Sequence, residues 1–463
     1  MFAENRIRLL MASVNSEPVT PVPYDGLVWA YYDVTTTTAA TRVIDNAQQA
    51  ITGNYMYVDG VQVSKATTYQ FQTTGRHLVK FPYNFNISPG GYNVFKNLPA
   101  LVEIYFPVAT FTVCYLCFRS DTSLTKVSFM DGSSVSLQGN GGQFRDCSAL
   151  PNLTIPASGD IPTCFVGCSS LERIEFNGSG TIGLGTNNCL SQTNVPKLKT
   201  VIFGAGYTSI TGRLFSGSTV SRVAFSSTTP PTISSTAFNG WSVAHSIFVP
   251  YSQDHSILNA YKTATYWSTQ ASYMYELNPD GSLPEYTIFG SPSISDWLLT
   301  IPGGQNGIIT EKTFNPGDKP WELQTKIIYK FTRYSEIIRS CDENGSSNGV
   351  YGIFAQMDNG GMRFIYSING TSWVNNTGIQ IQYTTDVWNW IKMGWDGRKF
   401  YHMHSLDGNE WTTLSYTNVN PVHSGEYILF GSTESNRYSQ STIDLSNTQI
   451  LIDGKVWWKA VRQ

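Results

Sequence analysis

The stretch "FVGCSSLERIEF", Phe165 to Phe176, holds Cys168 and directly follows Cys164, two of the 7 cysteines in a 463-residue chain. Such a pair reads as a thiol site or as one turn of something repeated, and the rest of the chain decides between them. "FRDCSALPNLTI" begins at Phe144, "FRSDTSLTKVSF" at Phe118 and "FSGSTVSRVAF", one residue shorter, at Phe215. "NLPALVEIYF" and "NVPKLKTVIF" carry only the second half. The shared core is an apolar residue, two of any type, an aliphatic, one of any type, then Phe or Ile. Its first position falls at Leu101, Leu124, Leu150, Leu171, Leu198 and Val220, at spacings of 23, 26, 21, 27 and 22 residues. Copies recurring at about 24 residues predict a solenoid with one short strand per turn.

Cys147 and Cys168 then occupy one repeat position, which Asp121 and Ser218 fill in other copies. A position that accepts Cys, Asp and Ser is a small-residue slot at a turn, not a ligand. Cys114 and Cys117 form a C-x-x-C, but no second pair stands at finger spacing and no His is near. The expectation is reduced, buried thiols, with no metal and no cofactor.

Composition points the same way. Only 14% of residues are charged, against roughly 25% in an average globular protein. Gly (40 residues) and aromatics (13%) are abundant, which suits a β-rich chain with many turns. The net charge is −3 and no run of Lys or Arg exists, so nucleic acid is not an expected partner. No stretch of 18 apolar residues occurs, so no membrane insertion by a helix is expected. The opening "MFAENRIRLLMASVNSEP" lacks the apolar core of a secretory signal, and no lipobox cysteine is near it, which predicts synthesis in the cytoplasm.

The turns Phe144 to Pro156 and Phe165 to Phe176 resemble BspA-like leucine-rich repeats, whose usual turn reads A-F-x-x-C-S-S-L-x-x-I-x-I-P. "SSTTPPTISSTAFNGWSVAHSIFVP" (Ser226 to Pro250) and "LNAYKTATYWSTQASYMYEL" resemble the closing segment of such arrays, a last strand and a short A-Y-K helix. Segments such as "SGDIPTC" and "GSSVSLQGNGG" read as insertions that make the coil irregular. Upstream, Met56 to Val58 and Val61 to Val63 flank Asp59-Gly60, a type I′ hairpin signal.

After "NPDGSLPEY" the pattern becomes alternating strands. Asn359-Gly360, Asn369-Gly370, Asp396-Gly397, Asp407-Gly408 and Asp453-Gly454 each sit between two runs, the signature of an antiparallel meander closed into a sandwich. The expected fold is mainly β: a small β module, an irregular β-solenoid of leucine-rich repeats and an antiparallel β-sandwich of jelly-roll type. The expected boundaries are a leader at 1–24, the module at 25–90, the array at 91–278, a linker at 279–284 and the sandwich at 285–463.

The ending "STIDLSNTQILIDGKVWWKA" resembles the close of concanavalin A-like (laminin-G-like) domains in tail proteins of gut bacteriophages, through Ile443 to Leu445, Ile450 to Ile452 and Trp457-Trp458. No E-x-D-x-x-E strand offers a pair of catalytic carboxylates and no G-x-S-x-G offers a nucleophile, so no enzyme is expected. His402 and His404 share a strand face, but no third metal ligand is evident. Carbohydrate binding suits the chemistry better, since sugars stack on aromatic rings and their hydroxyls seek Asp and Asn. Trp373 and Trp411, each just past a hairpin turn, and Asp407 are the candidate glycan-binding residues. At the N-terminus, Phe2, Ile7, Leu10 and Met11 fall near one face of a short helix and Arg6 and Arg8 lie elsewhere; with Arg6 these apolar residues form a candidate anchor.

The resemblance implies a structural virion fibre (head or tail) of a tailed phage. Its N-terminus would join other virion proteins, and its C-terminal domain would attach to a host cell-surface glycan. It also implies a homo-oligomer, such as a trimer, although no heptad pattern enforces one. A bacterial BspA-like surface adhesin and a polysaccharide depolymerase are the alternatives.

Overall fold

The computed structural model describes residues 25–45, 51–82, 94–113, 118–137, 142–161, 164–184, 189–290, 292–295, 297–302, 305–329, 335–342, 353–358, 361–367, 372–376, 387–432 and 441–461. The chain divides into two compact units, with the division between Glu276 and Leu277.

In the first unit, alternation along each repeat strand sends every second side chain to one face. The inward set is the repeat core itself. Leu101, Leu124, Leu150, Leu171, Leu198 and Val220 are each fully buried. So are the aliphatics three residues on, among them Ile104, Ile174, Val201 and Val223. The strands Asn152–Ile155, Arg173–Phe176, Thr200–Phe203, Arg222–Phe225, Ser246–Val249 and Met274–Glu276 lie side by side in one parallel sheet. Their register pairs Leu153 with Ile174, Ile174 with Val201 and Val201 with Val223, so like positions stack on like. Aromatic side chains make the columns visible. Phe95, Phe118, Phe144 and Phe165 stack in series with centroids 5.4, 5.2 and 5.8 Å apart. Phe176, Phe203 and Phe225 form a second column at 5.5 and 5.1 Å.

The expectation of one strand per turn is corrected. Among the described residues six turns carry a second strand, and these form another parallel sheet: Thr110–Val113, Ser134–Leu137, Ala157–Asp160, Ser179–Gly183, Gly206–Thr211 and Thr232–Ile233. The segments read as insertions supply two of them. Their Gly and Ser content gives low strand propensity. The neighbouring turns nevertheless provide a ready ladder, and buried side chains such as Val135, Ala157, Ile182 and Ile210 seat four of the strands on the core. The solenoid so built has about 7 turns.

The module expected before the array shares its sheet and its core. The strand order is Val61–Ser64, Tyr55–Val58, Gly75–Phe81, Val28–Val34, Leu101–Phe106, Lys126–Phe129. Val28–Val34 pairs antiparallel with Leu101–Phe106, which in turn runs parallel to Lys126–Phe129. At the other end the helix Ser256–Thr263 and a 3-10 turn, Trp267–Tyr273, cover the last coil. Tyr261 and Trp267 are buried against Phe225, and their polar atoms donate to the carbonyls of Ser227 (2.9 Å) and Pro231 (2.8 Å).

The small-residue slot has a physical definition. Cys147 donates its S–H to the Phe118 carbonyl and Cys168 to the Phe144 carbonyl, both at 2.9 Å and both one turn back. Asp121 accepts from Leu98 N–H at 2.7 Å. Burial pushes the Asp121 carboxyl up to about 9, so at neutral pH it is an uncharged acid. The slot therefore takes only neutral side chains, and Asp qualifies by keeping its proton.

The second unit has, among the described residues, two antiparallel sheets. One runs Tyr286–Phe289, Asn306–Thr310, Tyr427–Ser432, Ser335–Cys341, Ile353–Asp358, Gly361–Ser367, Trp373–Asn376. The other runs Ser293–Ser295, Leu298–Ile301, Ser441–Ile452, Trp321–Tyr329, Asn389–Trp395, Phe400–Ser405, Thr412–Thr417, with Lys455–Lys459 hydrogen-bonded to Ser441–Ile452. The sheets meet through Phe430 of the first and Trp458 of the second, whose rings stack at 5.2 Å. Trp458 is fully buried and its indole N–H donates to the Glu285 carbonyl at 2.6 Å. The Asp453-Gly454 turn has φ of 52° and 72°, and Asp59-Gly60 has 50° and 85°. Both are the doubly left-handed turn that suits a two-residue hairpin.

The described thiols, Cys147, Cys164, Cys168, Cys189 and Cys341, are all free and buried. Burial raises Cys147 and Cys164 well above the usual thiol range and Cys168, Cys189 and Cys341 to about 12. The thiolate is the reactive form. In the native protein at pH 8 these five should resist iodoacetamide, and all five should alkylate once the chain is unfolded. Mass spectrometry of the two digests checks this, and native labelling of Cys147 or Cys168 would contradict the slot geometry.

Candidate functional site

The site is best assembled from the outward face of the eight-stranded sheet. On Trp321–Tyr329 the residues Trp321, Leu323, Thr325 and Ile327 are buried, which turns Glu322, Gln324 and Lys326 outward. On Asn389–Trp395 the buried Asn389, Ile391 and Met393 likewise turn Trp390 and Lys392 outward. The register sets Lys326 beside Trp390, Gln324 beside Lys392 and Glu322 beside Gly394. Gly394 in turn faces Tyr401. Because position 394 has no side chain, the Tyr401 hydroxyl reaches across and donates to Glu322 Oε2 at 2.8 Å. Burial and the nearby Glu322 carboxylate push that phenol upward.

Three indoles converge on this face. Lys392 Nζ lies 3.2 Å from Glu322 Oε1 and 4.4 Å from the centre of the Trp411 ring. Lys326 Nζ lies 4.8 Å from Trp388 and 5.4 Å from Trp390, with Asp444 Oδ2 at 3.9 Å. Trp388, Trp390 and Trp411 are each half-buried. These are cation–π distances, and they order flexible lysines and tryptophans as one platform.

The hairpin tip between Phe400–Ser405 and Thr412–Thr417 folds onto that platform. Gly408 lies against Trp390, where an added Cβ would stand 2.8 Å from Cε2, and its φ is +81°. Trp411 donates its indole N–H to the Gly408 carbonyl at 3.0 Å. Asp407 Oδ1 accepts from Asn409 N–H (2.8 Å), Glu410 N–H (2.9 Å) and the Ser405 hydroxyl (2.9 Å). The two backbone bonds, Glu410 first, hold its carboxyl below the usual range.

Of the residues expected from sequence, Trp411 and Asp407 are therefore brought together. Asp407 holds the turn that aims Trp411, with one carboxylate oxygen committed to that task. Trp373 starts the edge strand of the other sheet, paired at Ser367, and its side chain lies outside the described residues. So do all the anchor residues, Phe2, Arg6, Ile7, Leu10 and Met11. Trp388, Trp390, Tyr401, Glu322, Lys326 and Lys392 were not anticipated. The one signal in the sequence was the alternation of Trp388, Trp390 and Lys392 in "WNWIK".

His402 and His404 have other duties. His402 is buried with its ring 4.7 Å from Phe400, and burial holds its pKa well below the usual value. His404 Nε2 lies 3.0 Å from Asn389 Oδ1. A register shift separates His402 from Met403. Among the described residues no group of three His, Cys, Asp or Glu gathers for a metal, and no helix is long and apolar enough to cross a membrane.

A family model described as "BspA type Leucine rich repeat region" matches in six copies, over residues 62–161, 90–218 and 162–262. The repeats of the first unit are thus BspA-type leucine-rich repeats. No curated protein matches the chain. Among solved structures, the receptor-binding domain of botulinum neurotoxin C/D mosaic serotype is 13% identical with a TM-score of 0.30, covering 39% of this chain and 45% of that one. The binding domain of botulinum neurotoxin DC in complex with rat synaptotagmin II is 12% identical with a TM-score of 0.29, covering 39% and 45%. The chain thus spans less than half the length of these structures, and at such scores the likeness carries no argument about fold or function.

The buried, neutral His402 makes a pH prediction. Its folded pKa is depressed, so the unfolded chain binds the proton more readily. Stability is then full above the unfolded pKa of roughly 6.5 and declines as pH falls below it, by up to about 1.4 kcal/mol per pH unit. His402→Gln should flatten the decline between about pH 6.5 and 5. Urea melts of both proteins across that range check it, and equal slopes would show that His402 is not the group responsible.

Proposed function

We propose that this protein is a non-enzymatic adhesion protein whose C-terminal unit binds a cell-surface glycan through the platform around Trp411. The observation that supports it most is the grouping of Trp388, Trp390 and Trp411 on one outward sheet face, with Glu322, Gln324, Lys326, Lys392 and Tyr401 between them. Sugar rings stack their C–H faces on indoles while their hydroxyls both donate and accept hydrogen bonds. A face that alternates indoles with carboxylate, amide and ammonium groups offers both. In this reading the leucine-rich-repeat solenoid is scaffold, and no bond in the glycan is cut.

The finer reading is a fibre of a tailed-phage virion, joined to its particle through residues 1–24 and oligomeric there. Its support is the resemblance carried by Ile443 to Leu445, Ile450 to Ile452 and Trp457-Trp458. Those residues build the long central strand Ser441–Ile452 and the Trp458 wedge between the sheets.

Two experiments test these readings. The full-length protein should retain polysaccharide extracted from a host cell without releasing reducing ends. Trp411→Ala should weaken retention by about tenfold, the loss of roughly one stacking contact, with the melting temperature nearly unchanged. Undiminished binding by that variant would remove the platform from the account. For the finer reading, a protein lacking Met1 to Pro23 should fold yet fail to copurify with virions, and normal incorporation would sink it.

A further inference from the structure

Resting on the glycan-binding reading, we infer that the platform around Trp411 selects an uncharged polysaccharide, built of neutral or N-acetylated hexoses, over one bearing uronate, sulfate or phosphate. The reason is how charge is distributed on this face. Its two ammonium groups are each matched by a carboxylate of the protein, Lys392 by Glu322 at 3.2 Å and Lys326 by Asp444 at 3.9 Å. The carboxylates are committed in turn. Glu322 Oε2 accepts from Tyr401, Asp444 Oδ2 accepts from Asn447 at 2.8 Å, and Asp444 Oδ1 accepts from the Ser446 hydroxyl and N–H. All four charged side chains are largely buried, between 11% and 24% exposed.

An anionic sugar stacking at Trp411 would have to draw Lys392 away from Glu322. That would leave the largely buried Glu322 carboxylate without its cation, held only by the Tyr401 hydroxyl, beside the incoming anion, and removing a partner from a buried pair is costly. A neutral hydroxyl needs no such exchange, because it can donate to Glu322 while accepting from Lys392. Moving away from Lys392 across the sheet, the register passes Gln324 and Gln449 before the next cation, Lys459. Two amides therefore occupy the positions where an anion-reading surface would continue its row of cations. The net charge of −3 also gives the chain no long-range pull on a polyanion.

The test is affinity electrophoresis of the full-length protein in gels containing a neutral mannan or glucan, polygalacturonate, or a sulfated glycosaminoglycan, at about 0.05 and about 0.5 M salt, either side of full Debye screening. The expected result is retardation by a neutral polymer, changed less than about twofold by salt, with no retardation by the acidic ones. Glu322→Gln releases the Lys392 ammonium from its partner, so this variant should gain salt-sensitive retardation by the acidic polymers. Salt-sensitive retardation of the unaltered protein by an acidic polymer would overturn the inference while leaving glycan binding intact. Retardation by no polymer of either class would overturn both.

Discussion

The first unit depends on one constraint: each turn of the solenoid must set its apolar residue over the like residue of the turn before. Parallel, in-register pairing enforces this, because a shift of a single residue would reverse every side chain between core and surface. The uneven spacing of the repeats is tolerated because loops absorb it, while Leu153, Ile174, Val201 and Val223 remain aligned. The same constraint explains the polar slot. A side chain there is buried against the previous turn, so it is uncharged, and the apolar Leu98 and Val195 fill the equivalent place in two other copies. Cys147, Cys168 and protonated Asp121 meet those terms by different chemistry.

In the second unit the alternation that builds the core also builds the candidate site. Each inward residue on Trp321–Tyr329 and Asn389–Trp395 obliges its neighbours to face outward. The platform is the outward residue set of these two strands and the next one, Phe400–Ser405, finished by a hairpin tip. Asp407 and Gly408 act through shape: one fixes the tip and the other lets it lie against Trp390. Specificity would then come from charge pairs within the protein, which leave hydrogen-bonding capacity but little free charge.

The repeat core and the hairpins were legible because each rests on a local pattern. A period of about 24 residues with invariant apolar positions needs no knowledge of neighbours, and Asp59-Gly60 and Asp453-Gly454 adopt the backbone their residue types favour. The second solenoid ladder was not legible, since "SVSL" and "ASGD" are strands only because adjacent turns pair with them. Trp411 could be picked out by its place after a turn. Glu322, Tyr401 and Asp444 could not, because what joins them is strand order, and residues 79 positions apart meet across Gly394. Asp407 can be picked out as a polar residue of the tip, but not its hold on the turn, where Oδ1 accepts from Asn409 and Glu410 N–H.

The strand Val28–Val34 is the first described strand of the first unit, and it is flanked on both edges, by Gly75–Phe81 and by Leu101–Phe106. Tension applied along that strand would load two ladders in shear. Their hydrogen bonds would have to fail together, whereas a strand peeled from a sheet edge loses them one at a time. Sharing a sheet between module and coils therefore makes this strand a mechanical clamp. A pull on the leader would be spread into the leucine-rich core before any turn of the solenoid could be drawn out.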